Sequence, residues 1–255
     1  MPSAYAHHQF GAQLLPALPA DIRIPVQRYR RLFDLGLQGP DFFFYYKLGK
    51  NTPVRQLARE YHHRTGAAVF SKICRDLGHP TEEELAYLYG LLAHYCLDSV
   101  CHPIVCRVTG EDGLAHNAME SEFERFLLAR SGVKNPHGYH RGAAVRCSGD
   151  HGAVIARFYP EANPQQIRQA LNTMGTVLGL LTVHAGAKRV LKLMGGPNPG
   201  LLMHRQADPA YAGYNEELLA GYRQALDLYP QLLQQLHSHM TLGEAFGEEF
   251  EAIFG

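Results

Sequence analysis

In the segment His94-Tyr95-Cys96-Leu97-Asp98-Ser99-Val100-Cys101-His102-Pro103, three metal-type side chains recur at every fourth position of a largely apolar run. On a helix, residues four apart lie along one face with modest drift, so His94, Asp98 and His102 point the same way. Eight residues at about 1.5 Å rise separate His94 from His102 by roughly 12 Å along the axis, too far for both to hold one ion. The spacing therefore predicts more than one metal. Asp98 lies between the two histidines, and its two oxygens make it the natural bridge. Pro103 disfavours helical geometry at His102 and removes a backbone donor, which predicts that the helix bends or ends there.

A second pair, His116 and Glu120, is also four apart, on a helix predicted to run through Phe123, Phe126 and Leu127. One imidazole and one carboxylate need a third ligand to hold zinc, and His102 is the candidate; the remaining position would then hold water. Upstream, His7, Asp41 and His62 each adjoin a structural break or an apolar face. Alone, such histidines read as satisfied core residues, and an Asp after Gly-Pro reads as a turn or cap.

Around these residues, apolar positions recur at three and four spacing with no alternating strand, so the class is all-α. Helices are predicted over 22–36, 53–77, 82–101, 114–130, 150–159, 164–194, 215–236 and 242–253, within one domain spanning 1–255. Thr81 before Glu82, Glu83 and Glu84 reads as an N-cap with acids in the first turn, and Asn163-Pro164 as a second cap. Gly195 to Gly200 and Gly36 to Pro40 break helices, and 131–149 and 195–214 read as long loops. Lys and Arg together number 24, equal to Asp and Glu, so no overall field recruits nucleic acid or an anionic membrane. Without a secretory signal or an apolar run near the roughly 20 residues of a spanning helix, the expected location is cytoplasmic. Five cysteines, none in CxxC spacing, suit reduced thiols, and Cys96, Cys101 and Cys106, five apart, fall on different helix faces. The chain is rich in histidine, with fifteen.

Taken in order, His7 with Phe10 three residues on, Pro40-Asp41, His62, His94-x3-Asp98-x3-His102 and His116-x3-Glu120 form a pattern that resembles the zinc-dependent phospholipase C family. That family shares a multi-helix fold and a trinuclear zinc site with the P1 nuclease type of single-strand nucleases. The resemblance covers roughly residues 1–130 by motif and the rest by helical character. It implies that Asp41, His62 and His94 hold one zinc, with Asp98 bridging to another held also by His7. His102, His116 and Glu120 would hold the remaining zinc. The implied cofactor is two zinc ions, with a third in the family pattern. Asp41 would lie beside the attacking water as general base. Family spacing prefers His7 over His8 and His62 over His63. The short gap between Asp98 and His102 is closer to the amino-terminal domain of glycosylphosphatidylinositol-specific phospholipase D than to the bacterial toxins.

The function this implies is zinc-dependent hydrolysis of a phosphodiester, a phospholipid above all, with transient contact at a membrane surface. A single-strand nuclease of the same fold is the alternative, disfavoured by neutral charge and the absence of tryptophan. A zinc-binding protein without catalysis is the third reading. An HD-type phosphohydrolase lacks its adjacent His-Asp here. Phe42 to Tyr46 follow Asp41 and read mainly as core, with a lipid or choline pocket as the functional reading. His137, Tyr139, His140 and Arg141 read as solvated loop residues that could approach a phosphate. His184, His204, His237 and His239 read as structural.

Overall fold

A computed structural model describes residues 4–110, 112–182 and 199–255. Ten α-helices occupy the described residues: α1 (Ala4–Leu14), α2 (Ala20–Arg28), α3 (Arg30–Gly36), α4 (Pro53–His62), α5 (Gly66–Leu77), α6 (Glu82–Thr109), α7 (Gly113–Arg130), α8 (His151–Ala156), α9 (Pro164–Leu180) and α10 (Ala212–Leu242). Among the described residues there is no strand, only an isolated bridge between Thr65 and Ile253. The all-α reading holds. No helix there is long and apolar enough to cross a membrane.

The axis of the fold is α6. Its residues from Ala86 to Asp98 are buried without interruption, so it is enclosed on all sides rather than amphipathic. It packs against α3 on one flank and α10 on another, with α1, α2 and α7 completing the jacket. Two glycines let α3 approach at backbone distance: a Cβ on Gly36 would stand 2.3 Å from the Tyr87 carbonyl oxygen, and one on Gly90 would stand 2.2 Å from that of Phe33. The start of α6 is fixed by a capping box, with the Thr81 hydroxyl accepting from the Glu84 amide and the Glu84 carboxylate accepting from the Thr81 amide. Asn163 and Gln166 cap α9 in the same way.

Several boundaries differ from the sequence expectation. The 22–36 helix divides at Tyr29, whose ψ of 39° leaves helical geometry. The 53–77 helix divides at His63–Thr65, where the Thr65 hydroxyl caps α5. Pro103 neither ends nor visibly interrupts α6, which continues to Thr109. A proline sacrifices one i to i−4 hydrogen bond, and the buried run from Ala86 to Asp98, with Cys101 and Val105 packed beyond it, offsets that loss. The 242–253 helix does not form: Gly243 terminates α10 in the left-handed conformation, and the tail contains only a 3-10 turn, Glu248–Phe250. The helix expected over 164–194 is α9 to Leu180, and its part beyond residue 182 lies outside the described residues, as do His184 and the Gly195–Asn198 break.

Two long-range ties position the site. Glu124, fully buried on α7, accepts from the Tyr5 amide at 2.6 Å and from Arg141 at 2.7 Å, which seats the first turn of α1. Arg141 is thus buried and paired, not a solvated loop residue. At the other end of the chain, Phe254 donates its amide to the Arg64 carbonyl, and Ala252 accepts from the Gly66 amide. Phe250 and Phe254 then stack into an aromatic group with Phe70 and Tyr95.

Candidate metal centre

Five side chains from four elements meet beside the middle of α6. His7 comes from α1, Asp41 from the 3-10 turn Gly39–Tyr45, His62 from the last residue of α4, and His94 and Asp98 from α6 itself. All five are buried, with His94 and Asp98 entirely so. His7 Nε2 lies 3.2 Å from Asp98 Oδ1, His94 Nε2 lies 3.3 Å from Asp98 Oδ2, and His62 Nε2 lies 2.9 Å from Asp41 Oδ1. The His7 and His94 rings stack at 4.3 Å. Ligand atoms converge as two overlapping triads, His7–Asp41–His94 and His62–His94–Asp98, each within 4.8 Å. The two triads share His94.

These residues fit a cation. Seven of their buried nitrogen and oxygen atoms meet no hydrogen-bonding geometry: both nitrogens of His7, Asp41 Oδ1, Nε2 of His62 and His94, and both oxygens of Asp98. At about 1–3 kcal/mol for each orphaned buried polar atom, the group would forfeit an amount comparable to the roughly 5–15 kcal/mol that holds a domain folded. Cations bound among them would satisfy the inward-facing ones, one nitrogen from each imidazole. The outer faces of the rings are already committed: His62 Nδ1 donates to the Ala58 carbonyl at 2.5 Å and His94 Nδ1 to the Leu37 carbonyl at 3.2 Å. Each Nε2 is then left as a bare lone pair, as in metal-ligating histidines whose other nitrogen is held from behind.

The electrostatics agree. Burial pushes His94 down to about 4, so it is a neutral ligand at physiological pH. Burial acts against ionisation of Asp98, but the imidazoles of His94 and His7 outweigh it and hold its carboxyl well below the ordinary range. Asp41 is likewise held low, with His62 and His94 overcoming burial. Two carboxylates and three imidazoles form a donor set of the nitrogen and oxygen type that suits zinc.

Further along α6, His102 faces His116 of α7, with ring centroids 5.0 Å apart. His116 Nε2 contacts Glu120 Oε1 at 3.0 Å. Burial pushes His102 down to about 4. The triad of ligand atoms within 4.8 Å here is His102, Cys106 and His116. Cys106 was not among the sequence candidates, although His102-x3-Cys106 continues the fourfold spacing of the ladder. All five cysteines are free thiols, as expected.

Beside both groups lies a cavity of about 430 Å³, lined by Phe44, Tyr45, Arg55, Arg59, His62 and His102 among others. Phe42 and Phe43 are core, so only part of the aromatic run reaches this space. Arg55 and Arg59, one turn apart on α4, escaped the sequence reading. The tail forms a further wall: a Cβ on Gly255 would stand 2.8 Å from His62 Cδ2, 3.1 Å from Asp98 Oδ2 and 3.4 Å from His102 Nδ1. The neighbouring histidines lie elsewhere. His8 is half-buried and 3.9 Å from Asp34 in a separate cavity with Arg30, Arg31 and Tyr139, and His63 is exposed at the cavity rim. His237 contacts the Tyr89 hydroxyl, and His239 the Glu244 carbonyl.

A helical protein with buried His/Asp groups gathered beside its central helix has the side chains to hold a metal ion. Residues 6–172 match the family model described as zinc dependent phospholipase C, more than half of the chain, and the chain belongs to that family. Zinc-dependent phospholipase C chemistry is the general activity that membership carries. No curated protein and no solved structure matches the chain.

Proposed function

We propose that this chain hydrolyses the phosphodiester of a phospholipid at a multinuclear zinc centre. Asp41, His62 and His94 would hold one zinc, Asp98 would contribute to that ion and, with His7, to a second, and His102, His116 and Glu120 would hold the outer ion. The carrying observation is the group of seven orphaned atoms on five buried residues, next to a cavity with two arginines. Bound zinc lowers the pKa of water toward neutrality and offsets the charge of a phosphate.

The chain's own residues supply the rest. Asp41, held ionised, accepts the proton of the attacking water. Arg55 and Arg59 share a face of α4 and bind the non-bridging phosphate oxygens, where a guanidinium is a better partner than an ammonium. Phe44 and Tyr45 offer apolar surface to the lipid end of the substrate. The water oxygen bonds to phosphorus as the bond to the glycerol oxygen breaks; that oxygen takes up the proton returned by Asp41, and diacylglycerol and a phosphorylated head group are released.

The test uses the zinc-loaded chain on phosphatidylcholine vesicles, bis-p-nitrophenyl phosphate and single-stranded DNA. Hydrolysis of the first two is expected. It should fall by about 100-fold or more in Asp41→Asn, in the range lost with a general base, and be abolished by chelation. Preference for DNA would make the chain a nuclease of the same fold. Zinc-loaded, folded protein that cleaves none of the three would make it a binding protein.

A further inference from the structure

The ladder of ligand types on α6 does not stop at His102. Cys106 follows four residues later, so His94, Asp98, His102 and Cys106 form one fourfold series. Because α6 runs through Pro103 to Thr109, Cys106 is carried on the same face one turn beyond His102. There its sulfur meets His102 and, from α7, His116, with one ligand atom of each within 4.8 Å of the others. Cys96 and Cys101, on the same helix, are committed inward, their sulfurs directed at the Ala225 and Leu218 carbonyls of α10. Cys106 alone of the three is exposed, beside the outer ligands.

We propose that Cys106 is a thiolate ligand of the outer zinc, together with His102 and His116; this rests on the metal-centre reading above and adds a residue to it. On binding, the thiol proton goes to solvent, a zinc–sulfur bond of about 2.3 Å forms, and no electron is transferred. The donor set at this end of α6 is then nitrogen and sulfur, softer than that of the inner group. Thiolate selects zinc over magnesium, calcium and manganese, which prefer oxygen. The outer ion is accordingly held by a ligand that thiol reagents reach, whereas the inner ligands are enclosed.

Cobalt substitution reads this directly. The cobalt-loaded chain should show a thiolate-to-cobalt charge-transfer band in the near ultraviolet in addition to the visible ligand-field bands. Cys106→Ser, a conservative change at an exposed site, should abolish that band and weaken the outer ion by about tenfold or more, leaving the inner ion in place. Cys106→Asp should restore the outer ion without the band. Ligand-field bands with no thiolate band in the wild type, or a band that persists in Cys106→Ser, would overturn the role of Cys106 while leaving the metal centre standing. A wild-type chain that takes up neither cobalt nor zinc would overturn both.

Discussion

At His62 two influences oppose each other. Burial pulls the imidazole down, but the Asp41 carboxylate against it outweighs burial, and the net result is a pKa above the ordinary histidine value. Metal-free His62 therefore holds a proton to higher pH than an ordinary histidine, whereas His94 and His102, pushed down to about 4, are neutral at physiological pH. Zinc has to displace the His62 proton to bind. Protonation competes with the metal, so inner-site affinity should rise with pH from about 6 upward and level off once pH passes the raised His62 value. Zinc titrations at a series of pH values check this; affinity that is flat or falling over that interval would contradict it. At this scale the sequence was most legible where ligands share one helix, as His94, Asp98 and His102 do. Cys106 is less legible, because its spacing of five from Cys101 hides its spacing of four from His102. Arg55 and Arg59 had no signal, since a phosphate-facing role exists only once α4 is placed beside α6 and α7.

The elements of the site depend on close backbone approach. Gly39 opens the 3-10 turn that carries Asp41, has φ of +50°, and faces His94: an added Cβ would stand 2.2 Å from Cδ2 and 2.3 Å from Nε2 of that ring. Gly39→Ala therefore meets a backbone conformation that disfavours side chains and a ring that cannot stay where it is. It should lower inner-site zinc affinity by about tenfold or more, the range lost when a metal ligand's support is disturbed. Zinc titration measures it, and unchanged affinity would show that His94 is not held as described. Helix existence was legible from periodicity, and the caps at Thr81 and Asn163 from residue type. The breaks at Tyr29 and His63 were not, because the nearest proline and glycine, Pro25 and Gly66, fall within α2 and at the first residue of α5 rather than at the break, and packing sets the angle between successive helices. Helix α1 also went unpredicted: it is short and buried on several sides, and its first turn is seated by Glu124, more than a hundred residues away.

For the molecule as a whole, α6 acts as a rack of ligands, and the rest of the chain delivers the complementary ones from α1, the Gly39 turn, α4 and α7. The tail closes over the assembly through Phe254, stacked on His94, and Gly255 beside His62, Asp98 and His102. That arrangement was illegible in the sequence, where the expected C-terminal helix would have carried these residues elsewhere. The central claim is that the buried histidines and aspartates exist to hold zinc. Anomalous diffraction from crystals of the zinc-loaded chain, collected on either side of the zinc absorption edge, tests it most directly. Density should appear within about 2.0–2.2 Å of the ligand nitrogens and oxygens, among His7, Asp41, His62, His94 and Asp98, and again at His102 and His116. A well-ordered crystal soaked in zinc with no anomalous density at either place would contradict the account.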